Sequence, residues 1–176
     1  MNRRIATVTI AAAAVFVLLS SITGCAKDTG QPSSAATQPS APLQGEKFEN
    51  ANFSIMIPTG WRKVEDRRTI QIIDDEVALD SIAVVVDDPG QTPYKPDWAK
   101  KRMDDSVKAY GASTPEEVSA FGKTWWKTTY TFAGTYTTLY SRVTADGFLI
   151  EVSLSGNNHE KNQKLKAVEN TLVFKR

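Results

Sequence analysis

An α+β fold, with a mainly antiparallel sheet of six or seven strands flanked by helices, is what this sequence of 176 residues predicts. Three observations carry the reading. Short apolar stretches with period-two alternation recur between residues 53 and 154. Most are joined by tight turns, Asp146-Gly147 being the clearest hairpin signal. Two stretches with helical spacing stand apart from them, one in the middle of the chain and one at its end. Strands joined by short turns run antiparallel, so the helices must pack on the faces of the sheet.

The first strand is Phe53-Ser-Ile-Met-Ile57, in which Phe53, Ile55 and Ile57 share one face. Pro58-Thr-Gly60 stops it, and Trp61 opens a short continuation. Thr69 to Ile73 forms a second strand, closed by the acidic run Asp74-Asp75-Glu76. A third covers Val77 to Val86, with Ile82, Val84 and Val86 on one side and Leu79, Ala83 and Val85 largely on the other. Because it is apolar on both faces, its later half is expected to lie centrally and covered.

Asp87-Asp-Pro-Gly90 breaks that pattern, and Pro93 and Pro96 extend the break. A helix follows: Asp97 is placed to cap it, Ala99, Met103, Val107 and Tyr110 recur at helical spacing, and Gly111 stands where a left-handed terminator is wanted. A β-meander comes next, over 116–121, 124–132, 135–144 and 148–154, with turns at Gly122-Lys123, Ala133-Gly134 and Asp146-Gly147. In its last strand Phe148, Ile150, Val152 and Leu154 alternate with Glu151 and Ser153. Gly156-Asn-Asn158 supplies a turn and a cap for a final helix over about 159–172, buried through Leu165, Val168 and Leu172.

The stretch before these elements has a different character. Arg3 and Arg4 precede Ile5 to Leu19, which carries no charge, and a charged start followed by a short apolar run is the pattern of a secretory signal. At about 15 residues the run is short for a bilayer-spanning helix, which needs roughly 20. It ends at Ile22-Thr23-Gly24-Cys25, which resembles the lipobox of bacterial lipoproteins. In that family the thiol takes a diacylglyceryl group and the peptide bond before it is cut, so the resemblance implies Cys25 as the lipidated first residue of the mature chain. The competing reading of a lone cysteine, a buried inert thiol, finds no element here to bury it. Residues 1–24 are thus read as a lipoprotein signal peptide, 25–45 as lipidated Cys25 and a disordered tether of Ala, Ser, Thr, Gln, Pro and Gly, and 46–176 as one domain.

In element order the domain resembles the PsbP-like superfamily, with its DcrB-like and LpqN-like bacterial lipoproteins. The carrying residues are Phe53-Ser-Ile-Met-Ile-Pro58-Thr-Gly60-Trp61, the meander ending in Gly147-Phe-Leu-Ile150, and the closing helix with Leu172-Val-Phe174. The resemblance implies an α-β-α sandwich. Members act chiefly as binding or assembly factors on unrelated partners, so it implies no reaction.

Charge excludes one class of function. Cleavage after Gly24 removes Arg3 and Arg4, leaving 19 basic against 20 acidic residues, a balance with no footprint for nucleic acid. Catalytic constellations are also missing by motif. His159 is the single histidine, placed where exposed helix-capping residues are normal, and a Ser-His-Asp site would have to use it. No zinc ligand set, calcium-loop ladder, phosphate-cradling glycine loop or nucleophile elbow occurs, so no metal and no cofactor is expected. The aromatics are more informative. Trp125 and Trp126 are adjacent in a strand and point to opposite faces; both pack if helices cover both faces, and otherwise one lines a groove. Tyr94 and Trp98 flank the proline-rich loop, and Tyr136 and Tyr140 share a strand face with Thr138. Tyr94, Trp98, Trp125, Tyr136 and Tyr140 are therefore the candidate contacts for a ligand or partner.

These readings converge on a monomeric, non-enzymatic binding or accessory module. It would be held by lipid on the extracytoplasmic face of a bacterial membrane and bind an envelope lipid, glycan or peptide. The alternative is a structural or assembly partner of a membrane protein complex.

Overall fold

The computed structural model describes residues 43–74 and 80–176. The expected signal peptide, Cys25 and most of the expected tether lie outside the described residues, as do residues 77–79 of the expected third strand. In chain order the described elements are β1 (Gly45–Glu49), β2 (Phe53–Pro58), β3 (Arg62–Glu65), β4 (Thr69–Ile73), β5 (Ser81–Asp87), α1 (Trp98–Tyr110), β6 (Glu116–Ala120), β7 (Lys123–Phe132), β8 (Thr135–Val143), β9 (Leu149–Ser155), α2 (Gln163–Glu169) and β10 (Val173–Phe174). The α+β class and the antiparallel sheet read from the sequence are what the structure has. All the described strand pairings are antiparallel, in a main sheet ordered β3-β4-β5-β9-β8-β7-β6 and a smaller sheet ordered β1-β2-β10.

The smaller sheet was not foreseen. β2 is the Phe53 strand, but it pairs with β1 and β10 and leaves the main sheet to begin at Arg62. β1 carries a single large apolar residue, Phe48, and so shows no alternation to read; its hydrogen-bond register, Gly45 opposite Pro58 through Glu49 opposite Ser54, makes it a strand. Phe48 then sits on Phe53, ring centres 5.8 Å apart, and Phe53 on Phe174 at 6.1 Å.

Side-chain alternation divides the main sheet into two faces. Ile70 and Ile72, Ile82 and Val84, Val152 and Leu154, Tyr140 and Trp125 fall on the core face by register. There they join Phe53, Ile55, Leu165, Val168 and Leu172 in one apolar cluster under α2 and the small sheet. A fully buried Ile or Leu of this kind contributes about 1.5–3 kcal/mol. On the outer face α1 lies across β7 and β8, burying Ala99 and Met103 and half-burying Val107. Among the described residues no other helix lies on that face. Ala83 and Val85 of β5 are therefore only half-buried, although β5 lies within the sheet as expected: one short helix cannot span seven strands.

Two helix starts differ from expectation. Asp97 makes no side-chain cap, because its backbone is already helical (φ −73, ψ −12) and its carboxylate is not set to reach the next amides. Gly111 does end α1 in the left-handed region, its N–H bonded to the Val107 carbonyl. The final helix is broken. A 3₁₀ turn at His159–Lys161 precedes an extended Asn162, whose side chain accepts from Leu165 N at 3.0 Å and so caps α2 in place of Asn158. The same side chain donates to the buried Asp80 carboxylate at 2.7 Å, tying α2 to the start of β5.

Candidate functional site

The clearest cleft lies on the open outer face, beside the N-terminus of α1. Its volume is about 350 Å³, its floor is Val85 and Leu149, and its walls are Arg68, Asp87, Tyr94, Trp98, Arg102 and Glu151. Each wall has a local cause. At the β3–β4 turn the Asp66 carboxylate accepts from Arg68 N and Thr69 N, at 3.0 and 2.9 Å, which fixes the turn and directs Arg68 toward the end of β5. Asp87 is the last residue of β5. Tyr94 N donates to the carbonyl of Gly147 in the β8–β9 turn at 3.0 Å, which pins the proline-rich loop to the sheet. Trp98 opens α1, and Arg102, one turn later, reaches Glu151 of β9 at 3.2 Å.

The polar groups form two neutralised pairs. Arg68 holds one Asp87 oxygen at 2.8 Å, and the Tyr94 hydroxyl donates to the other at 2.5 Å. The Tyr94 hydroxyl first, with Arg68 adding to it, keeps the Asp87 carboxyl below its ordinary 3.8, while the same bond pushes the Tyr94 phenol above 10.0. Hydrogen bonding to Glu151 raises the Arg102 guanidinium in turn. Tyr94 and Trp98 meet with ring centres 5.3 Å apart, and Lys101 Nζ lies 5.0 Å from the Trp98 ring centre. Trp98 remains 39% exposed. A second depression of about 400 Å³, lined by Asp66, Arg67, Arg68, Thr69 and Val85, shares Arg68 and Val85 with the first. The result is a shallow open trough with an aromatic wall, both donors and acceptors along its sides, and no net charge from its two ion pairs.

The other candidate contacts lie elsewhere. Trp125 is a correction: it is 1% exposed, packed edge-on against Phe121 at 5.4 Å and beside Phe174 at 5.2 Å, with the Arg142 guanidinium 5.5 Å above it. It supports the core and offers no surface to a ligand. Trp126 faces the opposite way, half-buried against α1, with Lys100 5.7 Å from its ring. Tyr136 and Tyr140 do share a face, the core face, and so lie across the sheet from Tyr94 and Trp98. Tyr140 stands between two other hollows, of about 200 and 480 Å³, that also share Glu169. Burial pushes the Tyr140 phenol to about 12 and raises Glu169.

His159 is a second correction. It is buried, not exposed: its ring stacks on Tyr136 (5.1 Å, 20°), Nε2 is 2.9 Å from Thr138 Oγ1, and Nδ1 is 3.3 Å from the Gly156 carbonyl. Since a carbonyl only accepts, Nδ1 carries the proton of that bond. Arg68, Asp87, Arg102 and Glu151 were not among the contacts expected from the sequence. They come from one turn and three elements, and only Tyr94 and Trp98 gave a signal, as aromatics flanking a proline-rich break. Among the described residues no group of three or more His, Cys, Asp or Glu side chains is placed to hold a metal ion, and no helix is long and apolar enough to cross a membrane.

No protein-family model matches the chain, and no curated protein matches it. Among solved structures it is similar to one from Bacteroides thetaiotaomicron VPI-5482, at 19% identity and a TM-score of 0.47, over 76% of this chain and 50% of that one. The chain thus spans about half the length of that protein. It is also similar to the solution structure of cyanobacterial PsbP (CyanoP) from Synechocystis sp. PCC 6803, at 13% identity and a TM-score of 0.49, over 73% of this chain and 91% of that one. Both TM-scores lie below one half, and neither likeness assigns a ligand, partner or activity to this chain.

Proposed function

We propose that this chain is a membrane-anchored extracytoplasmic lipoprotein, acylated at Cys25, whose domain is a non-enzymatic binding module for an envelope glycan. The lipobox-like Ile22-Thr23-Gly24-Cys25 after an apolar run supports the anchor. The observation that carries the binding reading is the trough itself, where the Tyr94–Trp98 pair borders Arg68–Asp87 and Arg102–Glu151. An exposed indole gives a sugar ring an apolar face to stack on, and charge-paired guanidinium and carboxylate groups offer both donors and acceptors to hydroxyls. A lipid tail fits this site less well, because the floor is only Val85 and Leu149 and the walls are charged. Anionic ligands gain little where each arginine is already paired.

The test is native mass spectrometry of the mature chain recovered from its own envelope. A co-purifying glycan whose retention is lost in Trp98→Ala supports the reading. A bound lipid, or an apo mass together with no quenching of tryptophan fluorescence by envelope glycan fragments, refutes it.

A further inference from the structure

The exposed aromatic residues away from the trough concentrate at one place. Phe132, 62% exposed, lies beside the Ala133-Gly134 tip of the β7–β8 hairpin, and Tyr110, 46% exposed, ends α1. Tyr110 stacks on Tyr130 (5.0 Å, 19°) and meets Phe132 edge-on at 5.5 Å. Three rings are thus held together by strand and helix, with Phe132 facing water. Charged groups around this end are mixed: Lys108, Lys161 and Glu160 are exposed, and Lys108 sits 3.7 Å from Asp105.

Strand register fixes which end of the main sheet this is. Arg62, Ile73, Ser81, Ser155, Thr137 and Tyr130 form one row of directly opposed residues across six strands. Phe132 lies beyond the Tyr130 end of that row. Beyond its Arg62 end lies the Pro58–Trp61 turn, where Thr59 N donates to the Gln44 carbonyl at 3.1 Å. Leu43, packed against the core, is the first described residue. The chain coming from Cys25 therefore enters the domain at the same end of the sheet as the aromatic tip, about 24 Å away across five strand spacings. Between Cys25 and Leu43 the chain reaches at most about 65 Å even if fully extended.

We propose that this end of the domain rests on the bilayer, with Phe132, Tyr110 and Tyr130 seated among the lipid headgroups. Tyrosine and phenylalanine suit that layer because they pair an apolar body with, in tyrosine, a polar tip that stays wet. The docking rests on the anchor at Cys25, since three rings alone hold a protein weakly, and one acylated residue converts their contact into an intramolecular one. It also leaves the trough facing away. Asp87 and Leu149, at the cleft, lie at the far end of β5 and β9 from the row that ends in Tyr130.

The experiment uses the acylated full-length product, recovered from membranes and placed in vesicles of phosphatidylethanolamine and phosphatidylglycerol. Acylation occupies the single native thiol, so Thr131→Cys, beside the tip, or Asp88→Cys, near the cleft, can each carry one spin label. The expected result is a label at 131 that becomes more accessible to oxygen and less to an aqueous nickel complex, while the label at 88 does not. Adding Phe132→Ala and Tyr110→Ala should return the label at 131 to its water-exposed reading, and Phe132→Trp should keep it lipid-facing. An acylated chain whose label at 131 stays water-exposed overturns the docking alone, and leaves the aromatic tip to a protein partner. A chain with no diacylglyceryl mass on Cys25 overturns the anchor and the docking together.

Discussion

Tyr94 donates its phenolic hydrogen to Asp87 at 2.5 Å, across the break between β5 and α1, and Arg68 takes the other carboxylate oxygen at 2.8 Å. The bond holds the aromatic loop and the end of the strand as one surface. Its pH window follows from the directions of the two shifts. Asp87 is lowered from 3.8, so its contribution to stability is present above that value and is lost as pH falls through the lower folded value. Tyr94 is raised from 10.0, so its contribution is present below that value and is lost as pH rises through the higher folded one. Asp87→Asn should bring the tyrosinate transition of Tyr94, read by ultraviolet difference titration against Tyr94→Phe, back toward 10.0. An unmoved transition would show that the bond does not form in solution.

Trp98→Ala separates binding from folding. The side chain is 39% exposed, so its loss should cost less than about 1 kcal/mol of stability, within the range of surface substitutions. Glycan affinity should fall by about tenfold or more, the ~1.4 kcal/mol or greater expected of a central aromatic contact. Fluorescence titration alongside a denaturant midpoint reads both. Equal losses in the two would make Trp98 a packing residue.

Trp125→Ala should behave in the opposite way. It empties a site shared by Phe121, Phe174 and Arg142 and should cost about 3–5 kcal/mol, the range for a deleted core aromatic. A urea midpoint close to that of the unaltered chain would contradict its place in the core.

Asn162→Ala removes both the α2 cap and the partner of Asp80, and should destabilise by about 1–2 kcal/mol from the cap alone, with more from the carboxylate left behind. Asn162→Asp keeps a capping oxygen but sets a second carboxylate against buried Asp80. Although Asp and Asn cap equally well, the Asp variant should be the less stable of the two, and thermal melts giving the reverse order would deny the tie to Asp80.

Cys25→Ser tests the anchor. The variant should leave a soluble or uncleaved chain that takes up no labelled palmitate, and label persisting on it would place the acyl group elsewhere.

Most of the main sheet was legible because its strands bury one face, and burial leaves the alternation seen in Phe148-Leu-Ile-Glu-Val-Ser-Leu154. β1 was not, since an edge strand with one large apolar residue carries its identity in backbone hydrogen bonds that composition does not record. A polar residue after Asn-Asn suits an exposed helix start, so nothing local to His159 signals its burial. Its burial depends on Tyr136 and Thr138, which β8 brings to it from more than twenty residues earlier. The trough was half legible. Tyr94 and Trp98 stood out as aromatics around prolines, but Arg68, Asp87, Arg102 and Glu151 are ordinary surface charges until the sheet places them side by side.

Gly147 decides how the trough can respond to a ligand. It sits at φ +83, and a Cβ there would come within 2.4 Å of Pro93 Cβ, so the aromatic loop is wedged into the β8–β9 turn with no room between them. A wall braced in this way cannot swing shut over what it binds. Ligand meets a surface already in its final shape, so little ordering entropy is lost on contact. Association and release should therefore be fast, and selectivity should rest on fit at the rim and not on enclosure.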